Sequence, residues 1–267
     1  MPAVLIQVLW RRRLTVLWWS LGVLALDALL AAAYPTVRGN SELDTTFAGL
    51  PPAVQASLGL NAANTLTSPI GYLNSQYFAN LLPILLLVFA IGLAAWSIGG
   101  DEAAGSLELL LANPVSRVRV ALERAGALIV LLGVLACVAA LGLVLLAPLT
   151  GLNKDLGWDR IVAAVTATGL LALVFASVTY AIGAATGLRP LATAVSATLA
   201  VALFAIEGLA EQVHVLRPIR DASPWHWLLS TDPLRNGLLW QAWVLPVVVS
   251  VVLIGLSTSV FARRDLR

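Results

Sequence analysis

Apolar residues along this chain gather into six long runs, 14–34, 78–99, 120–149, 161–186, 191–213 and 241–262, with polar, glycine- and proline-bearing stretches between them. A bilayer core about 30 Å thick is crossed by about 20 apolar helical residues, so each run predicts a spanning helix. The stretches between the runs predict smaller elements. Residues 2–13 set Leu5, Ile6, Val8 and Leu9 against Arg11, Arg12 and Arg13, which fits an amphipathic helix in the headgroup layer or a positively charged start that fixes topology. Pro51 and Pro52 open a small helix ending near Gly59. Ser68 caps, and Pro69 occupies the first turn of, the helix that becomes the second span, with Pro83 as a kink. Gly183 and Gly187 have the spacing of a close helix–helix contact. Residues 214–240 carry Pro218, Pro224 and Pro233 beside Trp225 and Trp227; too apolar for a free loop and too broken to span, they predict short interfacial helices. No internal repeat, low-complexity tract or second soluble domain interrupts this single transmembrane domain, 1–267.

Composition agrees with the pattern. Charged residues make up 11% of the chain, hydrophobic ones 60%, and mean hydropathy is +0.91. Soluble domains carry roughly 25% charged residues, so this is an all-α integral membrane protein. A formal charge of +2, with arginines dispersed along the chain, argues against nucleic-acid binding. The cations orient the spans. With the N-terminus inside, ten fall on the inner side (Arg11, Arg12, Arg13, Arg117, Arg119, Arg124, Arg189, Arg263, Arg264, Arg267) and six on the outer side (Arg38, Lys154, Arg160, Arg217, Arg220, Arg235), which predicts cytoplasmic termini. The nine tryptophans fall near run ends, where amphipathic rings favour the interface. The arginines, the first run and Ala31-Ala32-Ala33 also resemble a signal peptide; the run's length, Asp27 and the Trp18-Trp19 pair favour an uncleaved span. One cysteine, Cys137, leaves no disulfide or cysteine metal site within one chain.

One inter-span stretch on the predicted inner side has a pattern of its own. On a helix over 101–113, Ala103, Leu107, Leu110 and Leu111 share one face, and Asp101, Glu102, Gly105, Ser106, Glu108 and Asn113 share the other. Asp101 and Glu102 suit the first turn of the helix. Pro114 stops it, and Arg117 and Arg119 follow at headgroup level. Leu109 projects from the polar face, which suits a protein groove better than water. An ordinary interfacial linker would share much of this pattern.

Other chemistry is sparse. Asp27 and Glu207 are acidic residues counted within spans, where such groups mark function or pairing; Glu207 has Arg217 and Arg220 within reach as ion-pair partners. His214 and His226 lack neighbours at metal-ligand spacing. Trp225 and Trp227 read as interfacial anchors or as a gate on a transport path, which makes Asp27, Glu207, Trp225 and Trp227 the candidates for a substrate path. The chain lacks a GxxxxGK[ST] loop, and its only lysine, Lys154, falls outside. It also lacks GxSxG and paired catalytic carboxylates, so enzyme readings have no support, and energy for transport has to come from another polypeptide.

The run from Glu102 through Gly105-Ser106-Leu107-Glu108-Leu109-Leu110-Leu111 to Pro114-Val115-Ser116-Arg117 resembles the coupling-helix signature of ATP-binding-cassette type-2 exporter permeases, E-x-x-G-[TS]-L-E-L-L-L-x-x-P-[VI]-[ST]-R, between the second and third spans. Thr67-Ser68-Pro69 with Gly71-Tyr72-Leu73, Asp232-Pro233-Leu234-Arg235-Asn236-Gly237-Leu238 and Phe261-Ala262-Arg263-Arg264-Asp265-Leu266 extend the likeness in matching order over essentially the whole chain. Ser106 stands where threonine is commoner. The resemblance implies a bacterial cytoplasmic-membrane permease of six spans. It further implies an interfacial N-terminal helix, a cytoplasmic coupling helix and short outer helices. Two permease copies, or one and a paralogue, would join two ATPase subunits that bind ATP and magnesium, leaving this chain without a cofactor. Glu102, Gly105, Ser106, Glu108, Leu109 and Asn113 would meet the ATPase, with Pro114 and Arg117 anchoring the helix and 187–190 as a smaller contact. An amphipathic drug, antibiotic or lipid-like cargo would follow; a permease serving metalloenzyme maturation belongs to the same family. An ion-coupled carrier and a scaffold recruiting a non-ATPase partner are the rival readings.

Overall fold

The structure, a computed structural model, describes residues 3–50, 54, 65–97, 116–153, 156–210 and 213–263. In chain order it contains α1 (Ala3–Val37), α2 (Ser41–Ala48), α3 (Pro69–Ala95), α4 (Arg117–Thr150), α5 (Trp158–Thr186), α6 (Arg189–Leu209), α7 (Arg217–Asp221), α8 (Pro224–Leu229), α9 (Pro233–Asn236) and α10 (Trp240–Arg263). No β-strand occurs among the described residues. Six helices, α1, α3, α4, α5, α6 and α10, are long and apolar enough to cross a membrane, and the chain is a multi-pass membrane protein. The start of α1 and the end of α10 lie at one end of the bundle, termed the near end; α2 and α7–α9 lie at the far end.

Local chemistry sets the element boundaries. The Ser68 hydroxyl accepts from the Gly71 N–H at 3.1 Å, with Pro69 in the first turn, as its sequence predicts. Ser116 caps α4 the same way, accepting from Arg119 N–H at 3.3 Å. Gly151 (φ +80°) and Gly187 (φ +71°) close α4 and α5 in the left-handed conformation that glycine adopts without a steric penalty. Gly187 is thus a cap, and a Cβ added at Gly183 would meet nothing within 4 Å. Among the described residues, no neighbour packs closely at Gly183.

Other expectations shift in an instructive way. Residues 3–13 run straight into the first span as one helix of 35 residues, about 50 Å long. That exceeds the hydrocarbon core, so the first turns project beyond it without a break. Pro83 acts through a π-helical stretch, Asn74–Leu81, immediately before it. Proline lacks the N–H for an i−4 bond and its ring crowds that carbonyl. The wider turn, in which Leu82 N–H reaches Tyr77 O, takes up the mismatch. A helix missing from the sequence reading, α2, starts at Asn40, whose side chain accepts from Glu42 and Leu43 N–H. The helix expected after Pro51 lies outside the described residues. Short far-end helices appear over the stretch expected to hold them.

α5 occupies the centre, packed against α3, α4, α6 and α10. Ala164, Ala167, Ala172, Ala176 and Ala184 let its neighbours approach closely. The hydroxyls of Thr168, Ser177 and Thr179 are returned to carbonyls one turn back, at 2.8, 2.8 and 2.7 Å. Tyr180 donates to Ala121 O at 2.7 Å and ties α5 to α4. α1 lies along α4, and its other side meets α3 in antiparallel order: Arg12 over Trp96, Trp19 on Phe89, Asp27 on Tyr77, and Tyr72 to Leu30 O.

Candidate functional site

At the near end, three helix ends converge around the stretch 98–115. Trp96 and Ser97 finish the second spanning segment, Ser116 opens α4, and the first turns of α1 lie against both. The Arg124 guanidinium donates to Ser97 O, joining the two flanks. The Glu123 carboxylate accepts from Val4 N–H at 2.8 Å and Leu5 N–H at 3.2 Å, while Arg119 Nε donates to its other oxygen at 2.7 Å. Those amides are among the first-turn donors that a helix leaves without intrahelical partners, so Glu123 caps α1 from another helix. Arg12 lies 3.5 Å from the Trp96 ring centroid, within cation–π range.

Arg117 is half-buried in the first turn of α4. Glu102, Gly105, Ser106, Glu108, Leu109, Asn113 and Pro114, with the 101–113 helix itself, lie outside the described residues. Glu123 is the residue that the sequence reading passed over. An acidic side chain inside an apolar run, four positions after Arg119, was the available signal.

A second feature runs along two spans, from the Trp225 side at the far end to the first turns of α6. A cavity of about 390 Å³ lies between α3 and α6, with Trp225 at its margin. Ile84, Leu87, Val88 and Ile91 form one wall, and Ala197, Ala200, Val201 and Phe204 form the other; Asn80 and Thr193 add polar groups. Trp225 is buried, donates its indole N–H to Ala200 O at 3.0 Å, and sits 4.8 Å from the Phe204 ring at 55°. Proline and serine position it: Ser223 accepts from Trp225 N–H and Pro224 starts α8.

The other candidates lie apart from that cavity. Asp27 is buried between helices, accepting from the Tyr77 hydroxyl, and a Cβ at Gly142 of α4 would collide with its second oxygen. Glu207 Oε1 lies 2.9 Å from His226 Nδ1 and accepts its proton when that nitrogen carries one, and His226 Nε2 lies 3.8 Å from Asp221. Trp227 donates to Asp221 O at 3.1 Å. Of the four path candidates, Trp225 lines the cavity; Asp27, Glu207 and Trp227 are not among its lining. Phe204 and Asn80 line it and were not singled out, because each looks like an ordinary span residue until α3 and α6 are set face to face.

The model of the family described as ABC-2 family transporter protein matches residues 12–266. The chain belongs to that family. It is therefore a permease of an ABC transporter, and membership implies pairing with a separate ABC ATPase subunit. Permeases of this family are normally the non-catalytic membrane subunit. A search of curated proteins finds no match.

Proposed function

We propose that this permease is the membrane half of an ATP-driven exporter in which the 101–113 helix docks on the ATPase. Two copies, or one copy and a paralogue, form the path, and each recruits an ATPase that supplies ATP and magnesium. Glu102, Gly105, Ser106, Glu108, Leu109 and Asn113 face the ATPase, with Pro114 and Arg117 fixing the helix at the membrane. The single observation carrying this reading is the family match over 12–266, joined to a signature-like segment between the second and third spans.

The cavity between α3 and α6 supports a cargo with substantial apolar surface, such as a drug, antibiotic or lipid-like molecule. The acidic groups lie elsewhere, Asp27 on Tyr77 and Glu207 on His226. The excess of arginine at the near end supports placing both termini on the cytoplasmic side, and the family resemblance supports the bacterial cytoplasmic membrane as the site of action. The chain itself needs no cofactor in this reading.

The test is a mild-detergent pull-down of tagged chain from native membranes, with mass spectrometry and an ATPase assay. Wild type should bring down a P-loop ATPase, and Glu108→Arg with Leu109→Asp should lose it while remaining folded. Absence of any ATPase with well-folded wild type would contradict the reading in favour of a carrier or scaffold.

A further inference from the structure

Glu123 sits on α4, seven positions after the Ser116 cap, and reaches Val4 at the start of α1, 119 residues earlier in the chain. Its carboxylate takes both the Val4 and Leu5 amides. Leu5 packs on Gly126 one turn further along α4, where an added Cβ would lie 3.3 Å from Leu5 Cδ1. On the other flank, Arg12 lies on Trp96. Arg124, buried and adjacent to Glu123, closes the base by donating to Ser97 O. The start of α1 is therefore fastened to both flanks of the 98–115 stretch, and the flanks are fastened to each other.

A force applied to 98–115 has two routes. With free flanks, α3 and α4 would separate and absorb it. With the Arg124–Ser97 bond in place they move together, and the Glu123 cap carries the movement into α1. α1 is one unbroken helix from Ala3 to Val37, so a displacement of its first turn reaches the far end as a rigid tilt. Polar contacts with α3 at Asp27 and Leu30 would receive it there.

We propose that Glu123 is a positioning residue for ATP coupling: by capping α1 from α4 it makes the first helix a lever driven from the docking segment. This rests on the exporter reading above, and the two can fail separately. Full-length permease and its ATPase would be purified together from native membranes. Amide exchange over residues 3–14 would then be measured by mass spectrometry, without nucleotide and after trapping with Mg·ATP and vanadate. In wild type, trapping should change exchange in this segment. Glu123→Ala should raise the resting exchange of the first turn by about fivefold, the change expected from an ordinary cap loss, and should abolish the nucleotide response while the ATPase remains bound. Glu123→Gln keeps an acceptor oxygen and should restore both. If Glu123→Ala responds to nucleotide like wild type, or if wild type with bound ATPase does not respond, the lever is overturned and the exporter reading survives. If no ATPase accompanies wild type, both fall.

Discussion

α5 and α6 are consecutive spans joined by Gly187 and Leu188, yet they do different work. In α5, 67% of the most apolar stretch is buried; in α6 the figure is 17%. Mean hydropathy over those stretches is 2.3 and 1.8, so apolarity does not explain the contrast. Side-chain size and hydroxyl placement do. α5 presents alanine to several neighbours and returns its hydroxyls to its own carbonyls, which suits a central packing element. α6 gives one short stretch to α5 and leaves Leu199, Val201 and Leu209 open. Ala197, Ala200, Val201 and Phe204 line the cavity against α3, and Trp225 is held there by Ala200 of α6 itself. One helix is packed into the centre of the bundle, and the next leaves much of its surface uncovered.

The sharpest way to break this contrast is to enlarge both helices alike. Ala172→Leu puts a branched side chain into a site with no exposed surface and should cost about 1–3 kcal/mol, read as a lower thermal midpoint and less folded protein in the membrane. Ala197→Leu narrows the cavity wall on α6; it should leave the midpoint within about 1 kcal/mol of wild type while reducing transport, since it projects into open space. Equal losses of stability would remove the distinction. The next effect is at Trp225→Ala, which deletes the indole bond to Ala200 and the ring contact with Phe204. The loss should reduce transport, with a stability cost of up to about 3–5 kcal/mol for a buried tryptophan. Tyr180→Phe removes one buried hydrogen bond from α5 to α4 and should cost about 1 kcal/mol. Glu207→Gln is expected to be smallest, under about 1 kcal/mol, because its partner His226 is partly exposed and Gln can keep one hydrogen bond. Thermal unfolding in the same detergent checks all five variants.

Most of this architecture was legible in the sequence for simple reasons. Lipid requires every spanning backbone to satisfy itself, so apolar runs read directly as helices. Ser68 and Pro69 announced a helix start that the structure shows, because capping is local chemistry. What escaped was tertiary. Glu123 looked like part of a run, since nothing near it in sequence says that it will cap α1 over a gap of 119 residues. Pro83 marks a perturbed helix, and its form, a π-helical turn before it rather than a kink, became visible in the structure. Trp225 was noticed as an interfacial ring, and its cavity became visible when α6 and α3 were apposed. The residues proposed to dock on the ATPase come from the resemblance and lie outside the described residues.

The measurement that bears most directly on an ATP-driven path along α6 is cysteine accessibility in the assembled transporter. Cys137 is exposed and would be replaced by serine. Val201, which lines the cavity and is 68% exposed, would then carry the sole cysteine, and Ala172 on α5 would carry it in a parallel protein. Labelling by an apolar maleimide would be timed with and without Mg·ATP and vanadate. The account predicts that nucleotide trapping changes the rate at position 201 severalfold and leaves position 172 unreactive in both states. A rate at 201 that ignores nucleotide, in preparations that retain the ATPase, would contradict it.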